Sequence, residues 1–389
     1  MVYLDYSATT LVNDDVLNNL DYSATTPVDI RVFDTLSKVT KDYVGNPNSM
    51  HSLGQKSMEL LESATKQIAD IFGVNSTEIV YTGGSTESNN MAIIGAALAN
   101  HKKGKHIIVS KLEHPSIYVI CDYLKSIGFE ISYVKNDSDG LIDFDDLKNL
   151  VREDTILVSI SAVNSEIGIR QPLKMIRQII KKENMGTVFH SDMTQAIGKV
   201  SVNMRDVDLA SVSGQKIFGP KGIGFLYKSS MVKVTPLLYG STKETLNPGT
   251  PPLPLIAALS KAIRLANENI EKKERFVTLL NDKITNTLGK YPHILFNKTK
   301  YSIPHILNIS VMDVMPEVMV HALANHEIYV SSNTACSSGE VSNAVLAVYN
   351  DLNRAKHTIR ISLSHVTTTE EINKFLEVFK EEYEKLSKL

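Results

Sequence analysis

From about residue 65 to residue 230, short apolar runs rich in β-branched residues alternate with amphipathic stretches. Strands are predicted for the runs EIVYT, HIIVS, EISYV, TILVSIS, TVFH, DLASVS and IGFLYK. Helices are predicted for ESNNMAIIGAALANH, SIYVICDYLKSIG and PLKMIRQIIKKE, which lie between them. Short strands separated by amphipathic helices are typical of a largely parallel sheet with helices on both faces. The pattern therefore predicts an α/β fold for this part of the chain.

The pattern changes after the loop STKETLNPGTPPLPL. One long polar helix is predicted over roughly Ile256–Leu288, followed by the strand-like segments HILNISV, IYVSS and TIRISL and the helix EEINKFLEVFKEEYEKLSK. This mixture predicts a smaller α+β domain. We assign residues 30–255 to a large α/β domain, and residues 1–29 together with 256–389 to the small one.

The composition restricts the class of protein. The chain has 389 residues, is 43% hydrophobic and 22% charged, and carries a formal charge of −2, which is typical of a soluble globular protein. It has no apolar run of membrane-spanning length, no secretion signal and no basic stripe, so we expect neither a membrane nor a nucleic acid as partner. Two cysteines, Cys121 and Cys336, are too few for a disulfide framework or a thiolate zinc site, which suits the cytoplasm.

Candidate chemistry follows the predicted strands, because ligands of open α/β sheets bind beyond the carboxyl ends of the strands. EIVYT is followed by GGSTES, which places glycines and the hydroxyls of Ser85 and Thr86 at the start of a helix. Backbone N–H groups and the helix dipole make such a start suitable for a phosphate. An ordinary Ser/Thr helix cap explains the same residues, so this motif alone does not decide between the two.

Three other predicted strands end in polar groups. HIIVS leads to His114, TVFH leads to Asp192 and Gln195, and DLASVS leads to Lys216 in a glycine-lined turn. A phosphate site, a histidine, a carboxylate and a lysine on one sheet edge indicate pyridoxal phosphate, whose carbonyl a lysine binds and whose ring nitrogen a carboxylate keeps protonated. No dinucleotide fingerprint, P-loop or H-E-x-x-H motif competes with it.

The ordered motifs identify a family resemblance that covers nearly the whole chain. From about residue 21 onward the chain contains DYSATTPVD, GNPNSMH, TGGSTESNN, EHPS, VNSEIG, SDMTQAIGK, SGQKIFGPKGIG, SSNTACSSG and IRISLSHVTTTEEI. Together they closely resemble the cysteine desulfurases, in the class-V aminotransferase group of fold-type-I pyridoxal-phosphate enzymes. The resemblance implies a homodimer that removes sulfur from L-cysteine, leaves L-alanine, and passes the sulfur to an iron–sulfur scaffold or a thiolation enzyme.

The resemblance also implies a role for individual residues. Lys216 matches the lysine that binds the cofactor, Cys336 the cysteine that accepts sulfur, and His114 the histidine that stacks on the ring. Arg360 matches the arginine that grips the substrate carboxylate, with Asn46 nearby. The implied cofactor-binding residues are Ser85, Thr86, His114, Ser165, Asp192, Gln195, Ser213, Gln215, Lys216 and, from the other subunit, Thr250.

The two cysteines have different surroundings. Cys336 stands in SSNTACSSGE, which is polar, small and typical of an exposed loop, in agreement with the role that the resemblance implies. Cys121 stands in SIYVICDYL beside apolar residues, so we predict a buried structural cysteine.

Four positions depart from the common pattern of the family. Gln215 stands in place of a histidine, Ser165 in place of an asparagine, Asn247 in place of an arginine, and Gly83 in place of a serine. They keep open a second hypothesis, a catalytically weak paralogue that serves as a scaffold or regulator. A third hypothesis is a selenocysteine lyase or another class-V lyase on the same fold.

The hexapeptide DYSATT occurs twice, at 5–10 and at 21–26. The second copy is followed by Pro27, the helix-like DIRVFDTLSKVTKDY, and Gly45–Pro47, as the family pattern requires. The first copy is followed only by a short polar stretch. We predict that the second copy is the functional one, and that the first is a surplus duplication of the kind that chain termini tolerate.

Overall fold

The computed structural model describes residues 18–240, 246–332 and 341–388. Two predictions fall outside these ranges, the first DYSATT copy and Cys336. The strands are β1 Asn18–Asn19, β2 Ile79–Thr82, β3 His106–Ser110, β4 Glu130–Val134, β5 Thr155–Ser159, β6 Val188–Asp192, β7 Leu209–Ser213, β8 Gly224–Lys228, β9 Ile294–Phe296, β10 Ile306–Val311, β11 Ile328–Tyr329 and β12 Thr358–Ser362.

The described ranges also contain α-helices. They are α1 Ile30–Asp42, α2 Ser52–Phe72, α3 Ser85–Asn100, α4 Pro115–Ser126, α5 Phe144–Leu150, α6 Leu173–Glu183, α7 Leu253–Asn267, α8 Ile270–Leu288, α9 Pro316–Ala324, α10 Asn343–Tyr349, α11 Leu352–Lys356 and α12 Thr369–Leu386. Within these ranges, no helix combines the length and the apolar character that a bilayer crossing requires.

The large sheet has the strand order β2-β8-β7-β6-β5-β3-β4. β8 runs antiparallel to its neighbours β2 and β7, and the remaining pairs are parallel. Every residue of β3, β5, β6 and β7 is buried, as expected for strands that are covered on both faces. Within β3, Ile107 and Val109 belong to one apolar cluster and Ile108 to another, so a core lies on each face. The predicted fold class is confirmed.

A second sheet, in the order β12-β10-β9, is antiparallel and packs against α8, α9 and α12. Beside it, β1 pairs with β11 in parallel, which brings the start of the described chain next to this sheet. Leu20 follows β1 and is fully buried in the core of this part. The predicted domain boundaries remain a prediction.

The single long helix predicted over Ile256–Leu288 is wrong. The chain forms α7 and α8 instead, and Asn269 between them has a φ of 55°. Asparagine is one of the few residues with a side chain that adopts this left-handed conformation readily, so the helix is interrupted here. A helical pattern of polar residues continues on both sides of Asn269, so the sequence pattern did not reveal the break.

Candidate active site

The amine of Lys216 is held by the second copy of DYSATT. Lys216 lies in a single helical turn that begins directly after β7. Its Nζ atom donates to the carbonyl oxygen of Ser23 at 2.7 Å and to the carbonyl oxygen of Ala24. Thr26 fixes the same segment to this turn, because its N–H and its hydroxyl both donate to the carbonyl oxygen of Gln215. The hexapeptide is therefore built into the lysine turn.

Asp192, the last residue of β6, is a buried carboxylate with two donors. Its Oδ2 accepts from Nδ2 of Asn89 at 2.9 Å, and its Oδ1 accepts from the N–H of Thr194 at 2.9 Å. Asn89 lies on α3, the helix that begins after β2. The carboxylate is thus fixed in position at the carboxyl edge of the large sheet.

His114 lies immediately before α4 and caps it. Its Nδ1 accepts from the N–H of Ser116 at 3.2 Å and is 2.9 Å from the Ser116 hydroxyl. Burial lowers the pKa of His114; the Asp192 carboxylate opposes this effect, and the positive charges of Lys216 and Arg360 add to it. One ring therefore interacts electrostatically with three other predicted site residues, which indicates a common site.

Gln195 is oriented by a buried lysine. Its Nε2 donates to the carbonyl oxygen of Ser23 at 3.0 Å, and its Oε1 accepts from Nζ of Lys199. Burial lowers the pKa of Lys199 to about 7, and the charges of Lys216 and Arg360 act in the same direction. The amide of Gln195 is therefore fixed with its NH₂ group toward the DYSATT segment.

Four of the predicted cofactor-binding residues line one cavity of about 560 Å³ at the N-terminus of α3. Ser85 and Thr86 contribute the first helical turn, and Ser213 and Gln215 contribute the end of β7 and the lysine turn. Gly84 precedes the helix with a φ of 149°, where a side chain would be strained. Hydroxyls and backbone N–H groups at a helix start make this cavity suitable for a phosphate group.

Two of the positions that depart from the family pattern lie beside this cavity and interact with Glu87. The N–H of Gly83 donates to Oε2 of Glu87 at 2.7 Å. Nδ2 of Asn247 donates to Oε1 of Glu87 at 3.2 Å and to the carbonyl oxygen of Tyr81 at 2.8 Å. The Glu87 carboxylate is therefore occupied by donors of the protein.

Arg360 lies in the middle of β12, and its side chain is only 2% exposed. Its Nη2 is 2.9 Å from Oδ1 of Asp21, and its Nη1 donates to the carbonyl oxygen of Ser165 at 3.1 Å. Ser165 therefore reaches this arginine through its backbone. The DYSATT segment contacts Arg360 at one end and Lys216 further along, so it lies between the two cationic side chains.

Two predicted residues lie at the surface. Asn46 is exposed, and its Oδ1 accepts from the N–H of Asn48 within the same turn, at 2.9 Å. Thr250 is exposed in the loop before α7. Cys336 cannot be placed, since it lies outside the described residues. Cys121 is fully buried, as predicted, and burial raises its pKa to about 12, so it stays a thiol.

Sequence reasoning missed two buried carboxyl groups that support the site. Glu113 precedes His114 and accepts from the Ser110 hydroxyl at 2.5 Å and from the Ser161 N–H at 2.7 Å. Burial raises its pKa to about 7. Glu166 is buried close to Arg360, and burial raises its pKa as well, although Arg360 opposes this. Glu113 lies in the motif EHPS and Glu166 in the motif VNSEIG, so their place in these motifs was the sequence signal that could have identified them.

Comparison with known proteins agrees with this arrangement. The model of the aminotransferase class-V family matches residues 18–375. Cysteine desulfurase IscS of Dictyoglomus turgidum is 38% identical to this chain, in an alignment that covers 99% of this chain and 95% of that protein. Cysteine desulfurase IscS of Methanosarcina thermophila is 37% identical, in an alignment that covers 99% of this chain and 92% of that protein.

Solved structures give the same result. A NifS-like protein superposes with a TM-score of 0.90 at 32% identity, covering 95% of this chain and 100% of that chain. The structure of SspA in complex with cysteine superposes with a TM-score of 0.78 at 29% identity, covering 90% of this chain and 99% of that chain. The chain therefore belongs to the class-V aminotransferase family, which depends on pyridoxal phosphate. Within that family it belongs to the cysteine desulfurases.

Proposed function

We propose that this cysteine desulfurase transfers the sulfur atom of L-cysteine to Cys336, with Lys216 and Arg360 as the groups that act on the substrate. The observation that carries the proposal is the placement of a lysine amine and a buried arginine along one segment, Asp21–Thr26. A site that acts on an amino acid needs both a group that reacts at the amine and Cα and a group that binds the carboxylate.

The residues present fit pyridoxal phosphate. Ser85, Thr86 and Ser213 would hold its phosphate in the 560 Å³ cavity, and Asp192, fixed by Asn89, would hold its ring nitrogen. His114 would lie against the ring, and Gln195, whose amide has a fixed orientation, would donate to its phenolic oxygen. When bound, this cofactor supplies an electron sink that weakens bonds at the substrate Cα and Cβ.

Arg360 would bind the substrate carboxylate, because a guanidinium group matches a carboxylate with parallel N–H donors. Lys216 would move a proton at the substrate Cα, and the carbonyl oxygens of Ser23 and Ala24 would hold its amine between steps. The cysteine-bound structure of SspA supports L-cysteine as the substrate.

Cys336 would act as a thiolate, the nucleophilic form of cysteine. Its Sγ atom forms a bond to the substrate sulfur while the bond from that sulfur to the substrate Cβ breaks. The electron pair stays with the carbon skeleton, which takes up a proton and leaves as L-alanine. The persulfide then passes its outer sulfur to a thiol of an acceptor protein, an iron–sulfur scaffold or a thiolation enzyme.

The active unit that we propose is a homodimer. Thr250 is exposed, so it is available as a phosphate ligand for the other subunit. Leu238 and Tyr239 are 50% and 82% exposed, and Leu238 lines the phosphate cavity. Large apolar side chains exposed at the rim of a ligand site are typical of an interface.

The experiment that tests this function mixes the purified holoenzyme with L-cysteine and with L-selenocysteine, and then measures alanine, sulfide and selenide. A cysteine desulfurase forms alanine from L-cysteine together with protein-bound sulfur. Turnover of selenocysteine alone would show a selenocysteine lyase instead. Cofactor binding without any turnover would show a scaffold or regulatory paralogue.

A further inference from the structure

Arg360 is a buried cation, and its charged partner is a side chain of the duplicated hexapeptide. Asp21 Oδ1 lies 2.9 Å from Nη2, and the Asp21 side chain is 22% exposed. A buried charge is stable only when it is paired and hydrogen-bonded. The carbonyl oxygen of Ser165 supplies a hydrogen bond but no charge. Asp21 is therefore the carboxylate that pairs directly with Arg360, while the buried carboxyl group of Glu166, whose pKa burial raises, lies nearby.

Asp21 is held in place from several directions. It forms a parallel bridge to Ser362 of β12, two residues after Arg360. Its own N–H donates to Oδ1 of Asn19 at 2.9 Å, and the Ser331 hydroxyl lies 3.4 Å from its Oδ2. An ordinary surface ion pair loses much of its energy in ordering two flexible side chains. Here the backbone of Asp21 is already fixed, so the pair defines the orientation of the guanidinium group.

The structure points to a specificity role that neither the family comparison nor the predicted site assigns. We propose that Asp21 is a positioning residue, which orients Arg360 for the substrate carboxylate and competes with that carboxylate for its positive charge. The inference rests on the proposed role of Arg360. The N–H donors of Arg360 that Asp21 does not occupy would then have one fixed direction. The site would be selective for a ligand that accepts from these donors in that direction.

The two effects of Asp21 can be separated by substitution. Asp21→Asn keeps an oxygen that accepts from Nη2, and so keeps the orientation, but removes the negative charge. Asp21→Ala removes both. Two carboxylates on one guanidinium group repel each other, so loss of the Asp21 charge should strengthen the binding of a carboxylate ligand, and by less where water screens the partly exposed Asp21.

The test titrates the holoenzyme with L-alanine and with ethylamine, which is alanine with a hydrogen in place of the carboxylate. The readout is the change in the visible absorption of the bound cofactor, which gives dissociation constants without turnover. For Asp21→Asn we expect the dissociation constant of L-alanine to fall about three- to tenfold, and that of ethylamine to stay constant. For Asp21→Ala we expect that of L-alanine to rise at least tenfold, again without a change for ethylamine.

The duplication provides a matched control, since Asp5 is the residue of the first copy that corresponds to Asp21. Asp5→Asn should leave the dissociation constants of both ligands unchanged. Equal changes for the two ligands in the Asp21 variants, or no change for either, would overturn the inference and leave Asp21 with a structural role. Arg360→Lys tests the proposed role of Arg360 separately. It should raise the dissociation constant of L-alanine and leave that of ethylamine unchanged. If it leaves the ratio of the two dissociation constants unchanged, the proposed role of Arg360 fails, whatever Asp21 does.

Discussion

The Nζ atom of Lys216 donates to the carbonyl oxygen of Ser23 at 2.7 Å, across 193 positions of sequence. Ser23 belongs to the second copy of DYSATT, and Asp21 of the same copy pairs with Arg360. One segment thus touches both cationic groups of the site. The space between them holds a single hexapeptide, so the two copies cannot be equivalent.

Deleting residues 5–20 should therefore leave cofactor content and desulfurase activity intact. The deletion joins Leu4 to Asp21, so Val2, Tyr3 and Leu4 take the places of Asn18, Asn19 and the fully buried Leu20. Valine and tyrosine favour a strand more than asparagine does, so β1 should form at least as well. Cofactor absorbance and the rate of alanine formation are the measurements.

The control for this deletion is Leu4→Ala. In the deletion variant it should destabilise the protein by about 2–5 kcal/mol, because Leu4 then fills the core position of Leu20. In the full-length chain it should have little effect on urea unfolding. A deletion variant that folds but loses activity would show that the first copy has a function of its own.

Lys216→Ala should abolish the visible absorption of covalently held cofactor and all turnover, since Lys216 is the amine that we place beside the cofactor site. Lys221 is a nearby exposed lysine of the same glycine-rich loop, and Lys221→Ala should keep both properties. Absorption spectra of the purified variants show which of the two lysines binds the cofactor. Retained absorption in Lys216→Ala, with Lys221 modified by the cofactor, would refute the assignment.

Glu113→Gln should change how stability depends on pH. Burial raises the pKa of Glu113 from 4.5 to about 7, so between these values the folded protein binds more protons than the unfolded chain. The free energy of unfolding therefore falls as the pH rises through this window. Glutamine imitates the protonated form and removes this loss, which is on the order of 3 kcal/mol above pH 7.

Urea unfolding at pH 5 and at pH 8 measures the effect: Glu113→Gln should gain stability over the natural protein at pH 8, and little at pH 5. Glu130→Gln is the control, because Glu130 is exposed and its pairing with Arg152 lowers its pKa below this window. Parallel curves for the natural protein and Glu113→Gln would show that Glu113 is already ionised when folded.

The active unit should be a homodimer, because the proposed phosphate site takes Thr250 from a second subunit. Light scattering at assay concentrations should give twice the chain mass, and Thr250→Val should weaken cofactor binding several-fold without changing that mass. Mixing Thr250→Val with Lys216→Ala subunits should restore one intact site per mixed dimer. A fully active monomer would contradict this prediction.

The sequence predicted the large sheet well, because strands buried on both faces are continuous apolar runs with sharp ends, as in HIIVS and TILVS. The same rule placed Asp192 and Lys216, since Asp192 ends β6 and Lys216 lies in the turn directly after β7. The pairing of Asp21 with Arg360 spans 339 positions and joins the segment after β1 to β12, so no local pattern contains it. The break at Asn269 was missed because helical periodicity continues on both sides of it.

The proposed function depends on the transfer of sulfur from L-cysteine to Cys336. The holoenzyme, exposed to L-cysteine without a reductant, should form L-alanine, and mass spectrometry of its peptides should find one added sulfur atom on the peptide that contains Cys336. Cys336→Ala should still change the cofactor absorption on binding L-cysteine but form no persulfide. Added sulfur on Cys121, or near-normal sulfur transfer by Cys336→Ala, would contradict this proposal.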